Sequence, residues 1–347
     1  MKIKKSKGAI LIGNKKPLII DDFYFPEKLF QGQVLIELIY SGVCGSQIGE
    51  IDGIKGKDKY LPHLLGHEGI GYVLEKHKSV NKVKVGDKVL LHWMPSIGKD
   101  AETPKYIWRN KILNAGRITT FNNHAILSEN RITKVKNSSE DLDNIMLGCT
   151  ASTALGTTLK LVNLRKDHSI AVSGCGILGL YIIKILNFLK ITQIIAIDIR
   201  NEKLAEAKKS GATHIINSKI KTIDKEILKI TKKGADFFFE CSGNIEVINK
   251  GFNSLNQKGT QIFIGVPPFQ KKAEFNTLEI NLGKKLIGSK GGDFNPDKDY
   301  LKFLKLVKLK KLNHRNFITH KIKLNQLNDM IYEMRSRKVI GKPIIVF

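Results

Sequence analysis

Cysteine is scarce in this 347-residue chain: four residues, at 44, 149, 175 and 241, with no CxxC pair. That excludes a disulfide framework and any local zinc-finger spacing, and leaves each thiol as a ligand or a buried apolar group. No stretch of about 18 consecutive apolar residues occurs that could cross a bilayer. The N-terminal segment is basic, but Gly13, Asn14, Lys15 and Lys16 interrupt its apolar run, which argues against a cleavable signal and for a cytoplasmic protein with no membrane partner. Internal repeats and low-complexity linkers are absent as well.

Acidic residues are few, 32 against 58 lysines and arginines, for a formal net charge of +26. Such a balance raises the question of a nucleic-acid partner. The lysines are spread from end to end, whereas nucleic-acid readers concentrate cations on one face, often with stacking aromatics. The densest run, "KFLKLVKLKKLNHR" at 302–315, has apolar residues at helical spacing and reads as an amphipathic helix with a solvated basic face. The charge is therefore read as compositional, with attraction for an anionic substrate or cofactor as its functional consequence.

The length fits two domains, and 42% apolar residues can bury a sizeable core. Up to about residue 140 short β segments alternate with glycine-rich and polar turns; "QVLIELIYSGV", "GYVLEKH", "DKVLLHW" and "NHAILS" are the clearest. After "LGCTASTALGTTLKLV" apolar strands alternate with helical patterns, the signature of a parallel sheet covered on both faces. The tail, closing on the strand-like "GKPIIVF", reads as a return to the first domain. The expected architecture is α/β: an irregular all-β domain from 1–150 and 291–347, and a doubly wound parallel domain from 151–290.

"SIAVSGCGILGLYIIKILNFLK" holds Gly174, Gly176 and Gly179 in G-x-G-x-x-G order, after an apolar strand and at the start of a helix. The first glycine permits the tight turn, the second lets backbone approach a pyrophosphate, and the third lets helix and strand pack closely. The helix N-terminus adds free N–H groups for the phosphates. Asp198 ends the next strand, at about the 20-residue distance of the acid that binds the adenosine ribose. Its carboxylate would repel a 2′-phosphate, which favours NAD; Arg200 keeps NADP open. A glycine turn serving packing alone, with Asp198 as a helix cap, is the competing reading.

Cys44, the pair His67 and Glu68 in "LLGHEG", and Cys149 in "LGCTAS" are the remaining notable groups, too dispersed for spacing to argue a metal site. The segments "SGVCGSQ", "LLGHEGIGYV", "VKVGDKVLLHW", "LGCTASTALG", "SGCGILGL" and "IGVPP", in this order, make nearly the whole chain resemble the zinc-dependent medium-chain alcohol dehydrogenases, with a chaperonin-10-like catalytic domain and a Rossmann domain.

That resemblance implies that Cys44, His67 and Cys149 bind a catalytic zinc, with Glu68 beside the metal. Two thiolates and a neutral imidazole balance Zn²⁺ and leave a fourth position for an alcohol, whose pKa would fall toward an alkoxide that returns hydride to the nicotinamide. By the same resemblance Ser46 takes the alcohol proton, Trp93 walls the substrate pocket, Val266 lies near the nicotinamide, Lys203 lies near the adenosine ribose, and the chain is a homodimer or homotetramer. A turn serine, a core tryptophan and a surface lysine are the ordinary alternatives. Cys175 and Cys241 read as buried thiols, and His63 and His92 as minor metal or pocket candidates.

Departures from the pattern are also visible. Residues 92–124 lack the cysteines of a structural-zinc lobe, so one ion per chain is expected. Gly45 and Gln47 replace a basic residue and an aspartate that orients the histidine ligand. Gly49 replaces a relay histidine, and Ile344 stands where an arginine is often found. A polyol or sugar dehydrogenase is the nearest variant. A non-catalytic nucleotide- or RNA-binding relative is the reading from another class.

Overall fold

Short apolar runs divided by turn residues make the first part of the chain a series of strands: β1 (Lys5–Leu11), β2 (Ile19–Tyr24), β3 (Gln33–Gly42), β4 (His63–Leu64), β5 (Gly69–Lys76), β6 (Lys88–Leu91), β7 (Tyr106–Trp108), β8 (Lys111–Leu113), β9 (His124–Ser128) and β10 (Ile132–Lys134). Helices α1 (Gly45–Ile51) and α2 (Asp141–Ile145) accompany them. One sheet runs in the order β4-β1-β2-β7-β8. Its β7–β8 hairpin turns on Arg109 and Asn110, at φ 50° and 57°, a left-handed pair whose twist matches the flanking strands. This hairpin lies in the cysteine-free 92–124 region.

From Thr150 the elements alternate: α3 (Thr150–Leu159), β11 (Ser169–Ser173), α4 (Ile177–Phe188), β12 (Gln193–Asp198), α5 (Asn201–Ser210), β13 (His214–Asn217), α6 (Ile223–Thr231), β14 (Ala235–Glu240), α7 (Ile245–Asn253), β15 (Leu255–Phe263), α8 (Thr277–Asn281) and β16 (Lys285–Gly288). The strands form a parallel sheet in the order β13-β12-β11-β14-β15-β16. This is the doubly wound order, which reverses between β11 and β14 and opens a crevice at their carboxyl ends. Ala171, Ile195, Ile197, Phe238 and Phe252 belong to one of its apolar cores.

The tail supplies α9 (Pro296–Lys308), β17 (Ile318–Ile322), α10 (Leu327–Arg335) and β18 (Lys342–Val346). Strand β18 runs antiparallel to β3, with Ile344 opposite Gly42, and completes a sheet in the order β10-β6-β5-β3-β18-β17, with β9 also on β3. Helix α9 buries Tyr300, Phe303, Leu304 and Val307 and exposes Lys302, Lys305 and Lys308, as the amphipathic reading expects. It starts earlier, at Pro296, whose fixed φ suits a first helical turn. It stops at Lys308, before the end of the 302–315 segment. The computed structural model describes residues 1, 3–136, 141–309 and 311–347, so Lys310 of that segment lies outside the described residues.

These elements gather into two units: Met1–Cys149 with Asn295–Lys308 and Asn313–Phe347, and Thr150–Phe294 with Leu309–Leu312. Among the described residues no helix is long and apolar enough to cross a membrane.

His92, just after β6, is fully buried, with Nδ1 2.8 Å from the Met94 carbonyl and Nε2 3.0 Å from Thr133 Oγ1. Thr133 donates to Asp297 at 2.7 Å, and Asp297 pairs with Lys82 at 2.7 Å, so this polar chain anchors the start of α9. Burial pushes the ring down to about 3 from 6.5. Between those two values the unfolded chain holds a proton that the folded chain lacks, so stability falls as pH drops through that window, by up to about 1.4 kcal/mol per pH unit. His92→Gln is expected to flatten that slope in urea unfolding at pH 7, 6 and 5. An unchanged slope would put the acid sensitivity elsewhere.

Candidate metal centre and cofactor site

The end of β3 delivers the first candidate ligand. Cys44 caps the start of α1 in extended conformation, φ −121° and ψ 149°. His67 and Glu68 follow a turn at Gly66, φ 96°, where a Cβ would stand 2.8 Å from the backbone nitrogens of Thr120 and Phe121; only glycine fits. Cys149 follows a 3₁₀ turn, Met146–Gly148, and Gly148 has no room for a Cβ between the Leu91 carbonyl and Glu68. The ligand atoms of Cys44, His67, Glu68 and Cys149 consequently lie within 4.8 Å of one another, with His67 Nε2 3.3 Å from Cys149 Sγ.

His63 and His92 stay out of this group. His63 pairs with Asp58 at 2.7 Å and with the Leu64 carbonyl at 2.9 Å, and His92 is committed to Met94 and Thr133. Cys175 is buried and Cys241 partly so, and burial pushes both thiols up, away from reactive thiolate.

Glu68 is fully buried and ion-paired through Oε1 with Lys342 at the start of β18, itself fully buried. Gly42 makes the space: a Cβ there would be 2.6 Å from Glu68 Oε1. Sequence reading missed Lys342 and looked to Ile344, which is a buried core residue of the same strand. The only signal was a lysine opening an apolar strand. The Cys149 thiol, then the Lys342 ammonium and the His67 ring, hold the Cys44 thiol well below the ordinary cysteine range against the upward push of burial. Burial pushes Lys342 down, and the Cys44 charge opposes that.

The donor set fits a zinc ion. Two thiols and an imidazole converge, one thiol is biased toward thiolate, and Glu68 Oε2 is buried without a partner. The Gln47 side-chain amide touches His67 Nδ1, and Gln47 Oε1 is buried and unpartnered. Turned over, that amide accepts from Nδ1–H, which leaves the Nε2 lone pair for a metal. Ser46 Oγ and Trp93 Nε1 are buried without hydrogen-bond partners, so neither is tied to the ligands. At Gly49 a Cβ would stand 2.7 Å from Ile54 Cδ1, so Ile54 fills the space of a larger residue.

In the second unit the fingerprint glycines have distinct duties. Gly174 sits at φ 82°; a Cβ on Gly179 would strike the Gly174 carbonyl; a Cβ on Gly176, at the cap of α4, would meet nothing within 4 Å, which leaves open space for a ligand. Asp198 ends β12 with Oδ2 accepting from Cys175 N–H at 2.8 Å and Oδ1 from Arg200 N–H at 3.1 Å. The Arg200 guanidinium pairs with Glu202 at 3.3 Å. Lys203 is half-buried in the first turn of α5, and Val266 is exposed.

The chain is similar to known proteins over nearly its whole length. Residues 31–137 match the family described as alcohol dehydrogenase GroES-like domain, and residues 178–308 the family described as zinc-binding dehydrogenase. The chain is 25% identical to alcohol dehydrogenase-like 3 of Arabidopsis thaliana over 380 residues, 97% of this chain and 95% of that protein. A crystal structure of an alcohol dehydrogenase zinc-binding domain protein from Burkholderia ambifaria has a TM-score of 0.88 at 25% identity and 99% coverage of both chains. Benzyl alcohol dehydrogenase from Acinetobacter calcoaceticus reaches 0.87 at 23% identity, covering 99% of this chain and 100% of that one.

Removing one member of a buried ion pair leaves the other uncompensated, at a cost of about 3–5 kcal/mol. Lys342→Met is therefore expected to lower the urea midpoint strongly, with Lys342→Met/Glu68→Gln recovering part of the loss. Equal midpoints for Lys342→Met and wild type would show that the pair contributes nothing.

Proposed function

The chain belongs to the zinc-dependent medium-chain alcohol dehydrogenase family, and from that premise we propose that it transfers hydride between an alcohol, or the matching aldehyde or ketone, and NAD. The convergence of Cys44, His67 and Cys149 carries this reading, because a family member that had abandoned catalysis would have no need to keep that set. When bound, the zinc acidifies an alcohol hydroxyl and the nicotinamide takes up or returns hydride.

Cys44, His67 and Cys149 hold the metal, and Gln47 fixes the His67 ring in the tautomer that exposes Nε2. Glu68, neutralised by Lys342, adds no net charge beside two thiolates that already balance a divalent ion. Ser46, two residues after Cys44 with its hydroxyl buried and unpartnered, would take the alcohol proton at Oγ only as its own hydroxyl proton passes outward to water, so it relays the proton and does not hold it. With Gly49 covered by Ile54, the proton does not continue through a side chain at position 49. Trp93 borders the substrate.

Gly174, Gly176 and Gly179 receive the pyrophosphate at the start of α4. Asp198 keeps lone pairs for the ribose hydroxyls and opposes a 2′-phosphate, while Arg200 is drawn toward Glu202. Lys203 borders the adenosine ribose, and the Val266 backbone borders the nicotinamide. One zinc per chain is proposed, since residues 92–124 contain no cysteine.

Purified protein is expected to carry one zinc per chain by metal analysis and to raise absorbance at the nicotinamide band with NAD and members of an alcohol and polyol panel. Two ions per chain, or salt-sensitive RNA binding without turnover, would overturn the corresponding part of the proposal. Cys149→Ser should lose zinc and turnover while binding NADH as wild type does; retained activity would remove Cys149 from the ligand set. Gln47→Leu should weaken zinc retention against a chelator by about 10–100-fold. An unchanged zinc affinity would leave Gln47 with no orienting role.

A further inference from the structure

Glu240, the last residue of β14, is fully buried, yet Ser242 in the turn that follows it is exposed. The Glu240 carboxylate accepts from the Ser242 N–H at 2.7 Å, from the Gly243 N–H at 3.1 Å to each oxygen, and from the Ser242 hydroxyl. From β11 the Ser173 hydroxyl donates to it at 3.3 Å. The Glu240 backbone carbonyl accepts from the Ile264 and Gly265 N–H groups, both at 2.9 Å. Burial raises this carboxyl, and the donors oppose the rise.

Glycines let the neighbouring chain ends close on this group. A Cβ on Gly174 would stand 2.9 Å from Ser242 N, one on Gly243 2.6 Å from the Val266 carbonyl oxygen, and one on Gly265 2.8 Å from Glu240 Oε2. The carboxyl ends of β11, β14 and β15 thus turn around one buried acid, at the place where the strand order reverses. The turn at Gly174 and the backbone at Val266, both assigned above to the dinucleotide, rest on residues that this acid fixes.

We propose that Glu240 is a positioning residue for the dinucleotide: its carboxylate sets the 242–243 turn, and through it the Gly174 turn and the Val266 backbone, against the pyrophosphate and nicotinamide end of the cofactor. The inference rests on the cofactor reading above. Glutamine at 240 keeps the volume but turns an NH₂ group toward main-chain N–H donors, so at least one donor loses its acceptor. Adenosine, held at Asp198 on the other side of β11, is not touched by this displacement.

The test uses the full-length, zinc-loaded protein. NADH affinity is read by fluorescence titration and adenosine affinity by NMR titration, for wild type, Glu240→Gln and Ser173→Ala, with zinc content measured in parallel. Glu240→Gln is expected to raise the NADH Kd about tenfold or more, and Ser173→Ala about threefold. Adenosine Kd and zinc content should stay within about twofold of wild type. Unchanged NADH Kd in both variants overturns the positioning role, as does equal weakening of NADH and adenosine, the mark of a general packing defect. If Glu240→Gln does not fold, Ser173→Ala decides alone, with selective loss of NADH supporting the role and no loss overturning it. Wild type that binds no NADH sinks the cofactor reading itself and this inference with it; wild type and variants binding alike sink the positioning role only.

Discussion

A carboxylate shut away from water beside an ammonium, Glu68 against Lys342, is the constraint on which the first unit depends. Either charge buried alone would cost several kcal/mol, so the strand that brings Lys342 has to return to β3. Its return is written into the backbone: Val43 N–H donates to the Pro343 carbonyl at 2.9 Å, and Ile344 faces Gly42. Gly42 must be glycine because Glu68 occupies the space of its Cβ. Cys44, two residues further on, is placed by the same packing. The convergence of Cys44 with His67, Glu68 and Cys149 is thus a by-product of how a buried charge is neutralised.

The second unit buries an acid by a different rule. Glu240 has main-chain N–H and serine hydroxyl donors around it instead of a cation. Neutral donors desolvate cheaply and act along fixed directions, so they order turns more sharply than an ion pair does. An ammonium balances charge at Glu68, beside the Cys44 and Cys149 thiols, whereas dipoles suffice at Glu240, where the carboxylate is ringed by turns.

Local features were legible in the sequence. The strand, glycine turn and helix around Gly174, Gly176 and Gly179 are contiguous, and their periodicity carries the whole parallel sheet. The amphipathic face of α9 could be read the same way, though its start at Pro296 could not, because the first turn is polar. The grouping of residues 44, 67, 68 and 149 could be expected from family resemblance and not from spacing, since folding alone gathers them. Lys342 and Glu240 were invisible for one reason: a lysine opening a strand and a glutamate ending one look like ordinary surface residues. Their meaning comes from partners supplied by tertiary packing. Gly49 shows the converse, a departure seen in the sequence whose cause, Ile54 in its space, only the fold explains.

The long way round from Glu68 to Lys342 also sets a schedule. The two residues are 274 positions apart, so at about 5–20 residues per second a ribosome needs roughly 14–55 s to supply the ammonium after the carboxylate has emerged. During that interval the nascent chain carries Glu68 without Lys342, the cation that pairs with it in the fold. The end of strand β3, Tyr40–Gly42, also waits without its β18 partner until the tail arrives, β9 already covering Gln33–Glu37, a period in which chaperone binding competes with folding.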